Sequence, residues 1–209
     1  MTPLQPVKTF AGGRIGFLGS FPEFHLLPRT SLPEIAFAGR SNVGKSSAIN
    51  KLLNVKKVAR VSNTPGRTQA INLFVVEDRV VFADLPGYGF AKVPLEVKAR
   101  WKGLVEGYLG GREQLKLVVV LVDARHDVQR LDAELIWGLR QARIPIRVLA
   151  TKSDKLKRSQ RQRHWAALRR GFKLRGDELI GFSSADGMGL ETAWSAFDAA
   201  AAGDLEPER

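Results

Sequence analysis

Cysteine is absent from the 209 residues, which removes disulfides, thiolate zinc sites and cysteine nucleophiles from consideration at once. Long apolar runs are absent too. The stretch Leu117–Val122 is six residues of unbroken Leu and Val, far short of the roughly 20 that a membrane-spanning helix requires. The opening MTPLQPVKTF carries none of the apolar core of a signal peptide. Together these absences lead us to expect a soluble, cytoplasmic chain. Acidic residues are scarce: 21 Asp and Glu face 33 Lys and Arg, a formal net charge of +12, and such an excess points to a polyanionic partner. What is plentiful is apolar. A hydrophobic fraction of 44% with 11 Phe and 4 Trp is enough for a sizeable core and excludes a disordered or fibrous chain.

Short apolar runs alternate with amphipathic stretches from about Pro33 onward, the pattern of strands and helices wound into one layered α/β domain. Six strands are expected: 34–39, 71–76, 80–84, 115–123, 144–150 and 178–182. Only Glu77, Asp78 and Arg79 separate the second from the third, too few for a crossover helix, so these two pair antiparallel while the others can run parallel. Helices are expected over 45–53, 95–109, 128–142, 159–170 and 190–201. On the third, Leu131, Leu135 and Leu139 form an apolar stripe, and all four Trp (101, 137, 165 and 194) fall on helices as core residues. Residues 1–30, with Gly12, Gly13, Gly19, Pro22 and Pro28, read as an irregular leader able to add a short edge element. Residues 31–203 then form a single domain and 204–209 a mobile tail. Nothing in the pattern demands more than a monomer.

The most specific motif is GRSNVGKS, Gly39 to Ser46 (Gly39, Arg40, Ser41, Asn42, Val43, Gly44, Lys45, Ser46), which follows the first of these strands and opens the first helix. It fits Gly, four residues, Gly, Lys, Ser or Thr. Gly39 and Gly44 let backbone amides curl around phosphate oxygens, Lys45 brings a point charge to the β and γ phosphates, and Ser46 offers a hydroxyl to magnesium. A plain glycine turn has no need of all these residues in this strand-to-helix setting.

Three downstream motifs narrow the nucleotide. DLPG (Asp84, Leu85, Pro86, Gly87) ends an apolar strand, where Asp84 can hold the magnesium shell through water and the Gly87 amide can sense a γ-phosphate. TKSD (Thr151, Lys152, Ser153, Asp154) offers a carboxylate for two guanine N–H groups that adenine lacks. FSSA, beginning with Phe182, Ser183 and Ser184, can bring backbone amides to the guanine O6. Each alone is weak, since DLPG is often a turn and TKSD a helix cap. In this order, each at the carboxyl end of a strand, they mark the ligand edge of an open α/β sheet.

GRSNVGKSS, TPGRTQ, DLPGYGFAK and TKSD, with FLGSFPEFHLLP ahead of them, resemble the EngB (YsxC/YihA) family of bacterial GTPases, in the translation-factor-related class. The resemblance runs from about residue 17 to the last helix. It implies a three-layer P-loop NTPase of the Ras-like G-domain type, with a mostly parallel six-stranded sheet and one antiparallel strand. It further implies a magnesium-dependent GTPase, cycling between GTP and GDP, that serves assembly of the large ribosomal subunit and whose loss disturbs cell division and septation. In the resemblance, Gly66, Arg67, Thr68, Gln69 and Ala70 form the first switch, and the Thr68 hydroxyl joins Ser46 on the metal; Thr64 competes for that role. Lys45, Thr68, Asp84 and Gly87 are then the residues closest to the chemistry.

Where Ras-like enzymes orient the attacking water with a glutamine, this chain has Tyr88. Slow intrinsic hydrolysis is expected, with the site completed by a partner in trans, by Arg67 in cis, or by potassium held partly by Asn42. Between Lys155 and Arg175 lie nine basic residues and no acidic one. Lys157, Arg158, Arg161, Arg163, Arg169, Arg170 and Lys173 are the candidate footprint for an RNA backbone, with Trp165, Leu168 and Phe172 turned to the sheet. A merely solvated helix face usually mixes its charges. The competing readings are a nucleotide-gated RNA-binding module with incidental turnover and, disfavoured by TKSD and SSA together, a P-loop kinase or ATPase.

Overall fold

A computed structural model of the chain describes residues 8–56, 70–88 and 95–205, with backbone only at residue 10 and at residues 95–102. The centre of the molecule follows from its most apolar runs. Strand β3 (Glu34–Gly39) and strand β5 (Val80–Asp84) are buried at every position, and β6 (Leu115–Asp123) from Leu117 to Val122. Runs without polar alternation suit strands covered on both faces. Flanking them are β4 (Ile71–Val76), β7 (Ile146–Thr151) and β8 (Leu179–Gly181). All six expected strands form, within a residue or two of their expected ends.

The sheet has eight strands rather than six, in the order β1-β2-β4-β5-β3-β6-β7-β8. The extra pair comes from the stretch expected to be an irregular leader able to add a short edge element, and it adds two strands: β1 (Lys8–Phe10) and β2 (Ile15–Phe21). β2 pairs antiparallel along β4, with a register shift between Phe17 and Gly19, and the Phe17 and Phe74 rings meet at 5.2 Å between centroids. Of the glycines that signal a loop here, Gly12 and Gly13 turn the chain between β1 and β2, and Gly19, with φ +146, accommodates the bulge. The sheet therefore has three antiparallel pairings at one end and four parallel ones through β5, β3, β6, β7 and β8.

Helices cover both faces. α1 (Lys45–Leu52) and α5 (Leu190–Ala202) pack on the side of Phe37, Phe74, Phe82 and Leu121, and α2 (Leu95–Gly111), α3 (Arg130–Gln141) and α4 (Arg158–Phe172) on the side of Ala36, Ala83, Val120 and Val148. Two core expectations on α3 are corrected. Leu131 is 40% exposed and Trp137 67%, while Asp132, Ile136 and Leu139 turn inward. A strict four-residue step overshoots a 3.6-residue turn by about 40° each time, so Leu131 rotates out of the stripe that Leu139 begins. Trp165 and Trp194 are half-buried, the latter stacked on Phe82; the Trp101 side chain lies outside the described residues. At the end of α5, Asp204 donates its amide to the Ala199 carbonyl and Leu205 packs on the core, so the expected tail begins packed; 206–209 lie outside the described residues. No helix among the described residues is long and apolar enough to cross a membrane.

Candidate functional site

Because β3, β5, β6, β7 and β8 all run parallel, their carboxyl ends lie along one edge, and all four motifs open from it. The loop from Gly39 to Ser46 is shaped by two left-handed backbones, Asn42 (φ 65) and Gly44 (φ 104), which turn successive amides to one side in an anion-binding nest. Gly39 is required by packing instead: a Cβ there would stand 2.9 Å from Val43 Cγ1 and 3.2 Å from Leu121 Cβ. Val43 is buried as the loop's apolar foot, whereas Asn42 is exposed and Ser46 half-buried. Lys45 contacts the Asp84 carboxylate directly, and both side chains are largely buried. A phosphate would compete for that ammonium, as expected of a lysine poised for anions. Ser46 and Asp84 supply a hydroxyl and a carboxylate, hard oxygen donors that fit magnesium shared with phosphate oxygens.

TKSD is strapped to this loop. The Thr151 hydroxyl lies 2.7 Å from the Val43 carbonyl and 3.0 Å from that of Val122, so its single proton ties β7 to the P-loop or to β6. Lys152 donates to the Asn42 carbonyl at 2.8 Å and to Asp123 at 2.9 Å. Ser153 is fully buried, bonded to the Ala150 carbonyl and capped by the Trp165 indole N–H at 3.2 Å. Asp154 is half-buried beside Lys155. The Ser153 amide donates to the Phe182 carbonyl at 3.1 Å, which joins TKSD to FSSA. Phe182 belongs to the core, the buried Ser183 hydroxyl accepts from the amides of Ala185 and Asp186, and Ser184 is half-buried. Ala70 is described, half-buried; Gly66, Arg67, Thr68 and Gln69, with Thr64, lie outside the described residues.

Three partners were not legible as site residues. Asp123 ends β6 on the same edge and is held by Arg125 at 2.7 Å and by Lys152. Partial burial pushes its carboxyl up, but the Arg125 guanidinium and the Lys152 ammonium outweigh that and hold it well below the usual carboxylate range. Its position at a strand's carboxyl end was the available signal. Asp132 on α3 accepts the Tyr88 hydroxyl at 2.7 Å, and Gln129 accepts from Arg40 at 3.0 Å. Burial, then the Asp132 charge and hydrogen bond, push the Tyr88 phenol far above its ordinary value, so it stays a donor at any working pH.

On α4, Leu168 and Phe172 are buried and Trp165 half-buried, while Lys157, Arg158, Arg163, Arg170 and Lys173 are exposed. Arg161 and Arg169 depart from the expected outward set. Both are half-buried: Arg161 donates to the Leu156 carbonyl at 3.3 Å, and Arg169 buries a guanidinium nitrogen that has no hydrogen-bond partner among the described residues.

Comparison with known proteins agrees with this geometry. A family described as "50S ribosome-binding GTPase" matches residues 34–152. A protein of Vibrio parahaemolyticus described as "Probable GTP-binding protein EngB" is 48% identical over 177 residues, 84% of this chain and 81% of the relative. The correspondingly described protein of Syntrophomonas wolfei is 47% identical over 173 residues, 83% of this chain and 89% of the relative. Among solved structures, a crystal structure of a probable GTP-binding protein engB superposes with a TM-score of 0.67 at 29% identity, over 81% of this chain and 99% of its own. Aquifex aeolicus Era bound to GDP and AlF4− shares the fold at a TM-score of 0.66 and 20% identity, over 86% of this chain and 58% of its own.

Proposed function

Because this chain belongs to the EngB family of GTP-binding proteins and is a GTPase, we propose that it acts as a GTP-dependent switch on the large ribosomal subunit or its precursor. The observation that carries this reading is α4 with its flanks. From Lys155 to Arg175 every ionised side chain is basic, and Lys155, Lys157, Arg158, Arg163, Arg170, Lys173 and Arg175 are exposed. A surface of one sign next to a nucleotide site suits the phosphates of ribosomal RNA, bound without regard to sequence and weakened by salt. The family's description, a 50S ribosome-binding GTPase, points to the same partner. A cytoplasmic location and normal septation would follow from a role in subunit assembly.

In this reading the amides of Asn42 to Ser46 and the Lys45 ammonium hold the phosphates, Asp154 accepts from the guanine N–H groups, and Gly87 reads the γ-phosphate. Magnesium, held by Ser46, by Asp84 through water and by Thr68 in the GTP state, would neutralise charge on the β and γ oxygens. Hydrolysis by the chain alone is slow, since Tyr88 is buried with its hydroxyl committed to Asp132 and presents nothing to an attacking water. Potassium bound partly by the exposed Asn42 would supply what Tyr88 does not; equal rates in sodium and potassium buffers would remove that element.

The test is co-sedimentation of the protein with large subunits in a GTP analogue, in GDP and without nucleotide, at two salt concentrations. Binding that depends on the analogue and falls with salt is expected. Equal or absent binding in every state would overturn the ribosomal reading and leave the GTPase without this partner. The buried Tyr88 favours a second reading, an RNA-binding module gated by nucleotide whose turnover is incidental; there, exchange of analogue for GDP would release the particle as well as hydrolysis does.

A further inference from the structure

Among the described residues of its loop, the one after DLPG is anchored through both backbone and side chain. Tyr88 forms a bridge to Arg40: the Ser41 amide donates to the Tyr88 carbonyl at 3.0 Å and the Tyr88 amide to the Gly39 carbonyl at 3.3 Å. The ring is 8% exposed, and its hydroxyl donates at 2.7 Å to Asp132, itself 2% exposed on α3. Burial raises the Asp132 carboxyl, an effect the Tyr88 hydrogen bond and the Arg40 charge oppose. Arg40 in turn reaches Gln129 at the start of α3. One turn of chain earlier, the Leu85 amide donates to the Phe37 carbonyl at 3.1 Å. Gly87, between these two anchors, lies so close to the P-loop that a Cβ would meet Ser41 Oγ at 3.3 Å and the Gly39 carbonyl at 3.4 Å.

We propose that Tyr88 is a positioning residue: moored on Asp132, it holds the Gly87 amide against the P-loop, so that the γ-phosphate is read by a preformed loop rather than by one folded on demand. This rests on the reading that Gly87 is the γ-phosphate sensor. A GDP-bound site makes no use of that amide, because GDP has no third phosphate. A GTP-bound site does, and the ordering of the loop is then already in place before the ligand arrives, which raises affinity for the triphosphate alone. The position that serves water orientation in glutamine-bearing GTPases serves ligand discrimination here.

The test measures affinities of the full chain for GDP and for a non-hydrolysable GTP analogue with magnesium. Tyr88→Phe keeps the ring and removes the hydroxyl. Asp132→Leu removes the acceptor, while Asp132→Asn keeps an oxygen that accepts. Tyr88→Phe and Asp132→Leu are expected to weaken analogue binding roughly tenfold with GDP affinity held within about twofold, and Asp132→Asn to stay near the parent ratio. The double variant Tyr88→Phe/Asp132→Leu should be no worse than either single. It also leaves no buried carboxylate without a donor, so it reports even if Tyr88→Phe alone fails to fold. Equal losses for GDP and analogue, or an unmoved ratio, would overturn the proposal and leave Tyr88 a packing residue. If the parent protein shows no preference for the analogue over a matched adenine analogue, the site reading fails as well; a guanine-selective parent with an unmoved ratio sinks only the role of Tyr88.

Discussion

Thr151 carries more of the site than its size suggests. The TKSD motif has a hydroxyl at its first position, and the structure sets that hydroxyl nearer the Val43 carbonyl, at 2.7 Å, than the Val122 carbonyl, at 3.0 Å, with Lys152 holding the neighbouring Asn42 carbonyl. Both bonds fix the P-loop from its convex side, so that its amides stay turned toward a ligand. Thr151→Val is nearly isosteric and keeps the β-branched shape that a strand end favours. It strands a buried carbonyl, which costs about 1–3 kcal/mol. The expected outcome is a loss of stability of that size in a denaturant titration, together with weaker binding of GDP and GTP analogue by equal factors. A selective loss of guanine over adenine preference would show instead that Thr151 acts on the base.

Asp123 makes a second prediction at this scale, through pH. Its carboxyl is depressed in the folded chain by Arg125 and Lys152, so the unfolded chain binds the proton more readily. The stabilisation is then fully present above the ordinary aspartate value of about 3.9 and is lost as pH falls through the lower folded value. Asp123→Asn should be less stable than the parent at neutral pH, with the two acid-unfolding curves beginning to converge as pH falls below about 3.9 and meeting only below the depressed folded value. Curves that stay parallel throughout would mean the carboxylate charge contributes nothing.

At the scale of elements, the leader and α2 are tied through one buried acid. Glu34, 0% exposed at the start of β3, takes both arms of Arg112 at 2.6 and 2.8 Å, the Tyr108 hydroxyl at 2.8 Å and the Thr30 hydroxyl at 2.8 Å. Arg112 also reaches the Pro28 carbonyl. A bidentate pair of this kind is strong only while complete. Arg112→Leu leaves the carboxylate uncompensated and should cost about 3–5 kcal/mol, whereas Arg112→Leu with Glu34→Gln should recover part of it. Calorimetric melting of both variants checks this; additive losses would mean the two residues do not act as a pair. None of this network was legible beforehand. Glu34 reads as the polar lead-in to an apolar strand, and its three partners come from a loop, from α2 and from the residue that follows α2, so only tertiary structure brings them together. The core strands were legible because burial on both faces leaves an unbroken apolar run, whose short length and β-branched and aromatic content suit a strand rather than a helix. β1 and β2 were legible only as a short edge element, since the glycines in and between them carry a loop signature and the pairing that orders them, β2 on β4 and β1 on β2, is tertiary. The phosphate loop was legible because its motif is specific in both residue type and spacing: Gly44 takes a left-handed backbone, Gly39 leaves no room for a Cβ, and Lys45 and Ser46 follow at the fixed positions of a phosphate-binding turn. Asp132 was hidden for the opposite reason: an acid on a helix reads as solvent-facing, and nothing local announces that Tyr88 will reach it from 44 residues away.

At the scale of the whole molecule, the charge is concentrated rather than spread. Nine basic residues between Lys155 and Arg175 stand against a net charge of +12 for all 209, and the site edge itself is nearly balanced, with Lys45 on Asp84, and Lys152 and Arg125 on Asp123. Removing exposed charge from α4 should therefore leave the nucleotide site untouched while changing association with a polyanion. The burial pattern sharpens this into a choice of residues. Arg163 and Arg170 are exposed and spare the core, whereas Arg161 and Arg169 are half-buried and their loss would confound folding with binding. Each cation that neutralises a phosphate releases about 0.9 of a counterion on duplex nucleic acid, so the slope of log affinity against log salt should fall by about 1 for each of Arg163→Gln and Arg170→Gln, and by about 2 for the pair. Filter binding to ribosomal RNA from 50 to 200 mM salt measures the slopes, with GDP affinity as the control. An unchanged slope with unchanged GDP binding would move the RNA contact off α4 and onto another face of the domain.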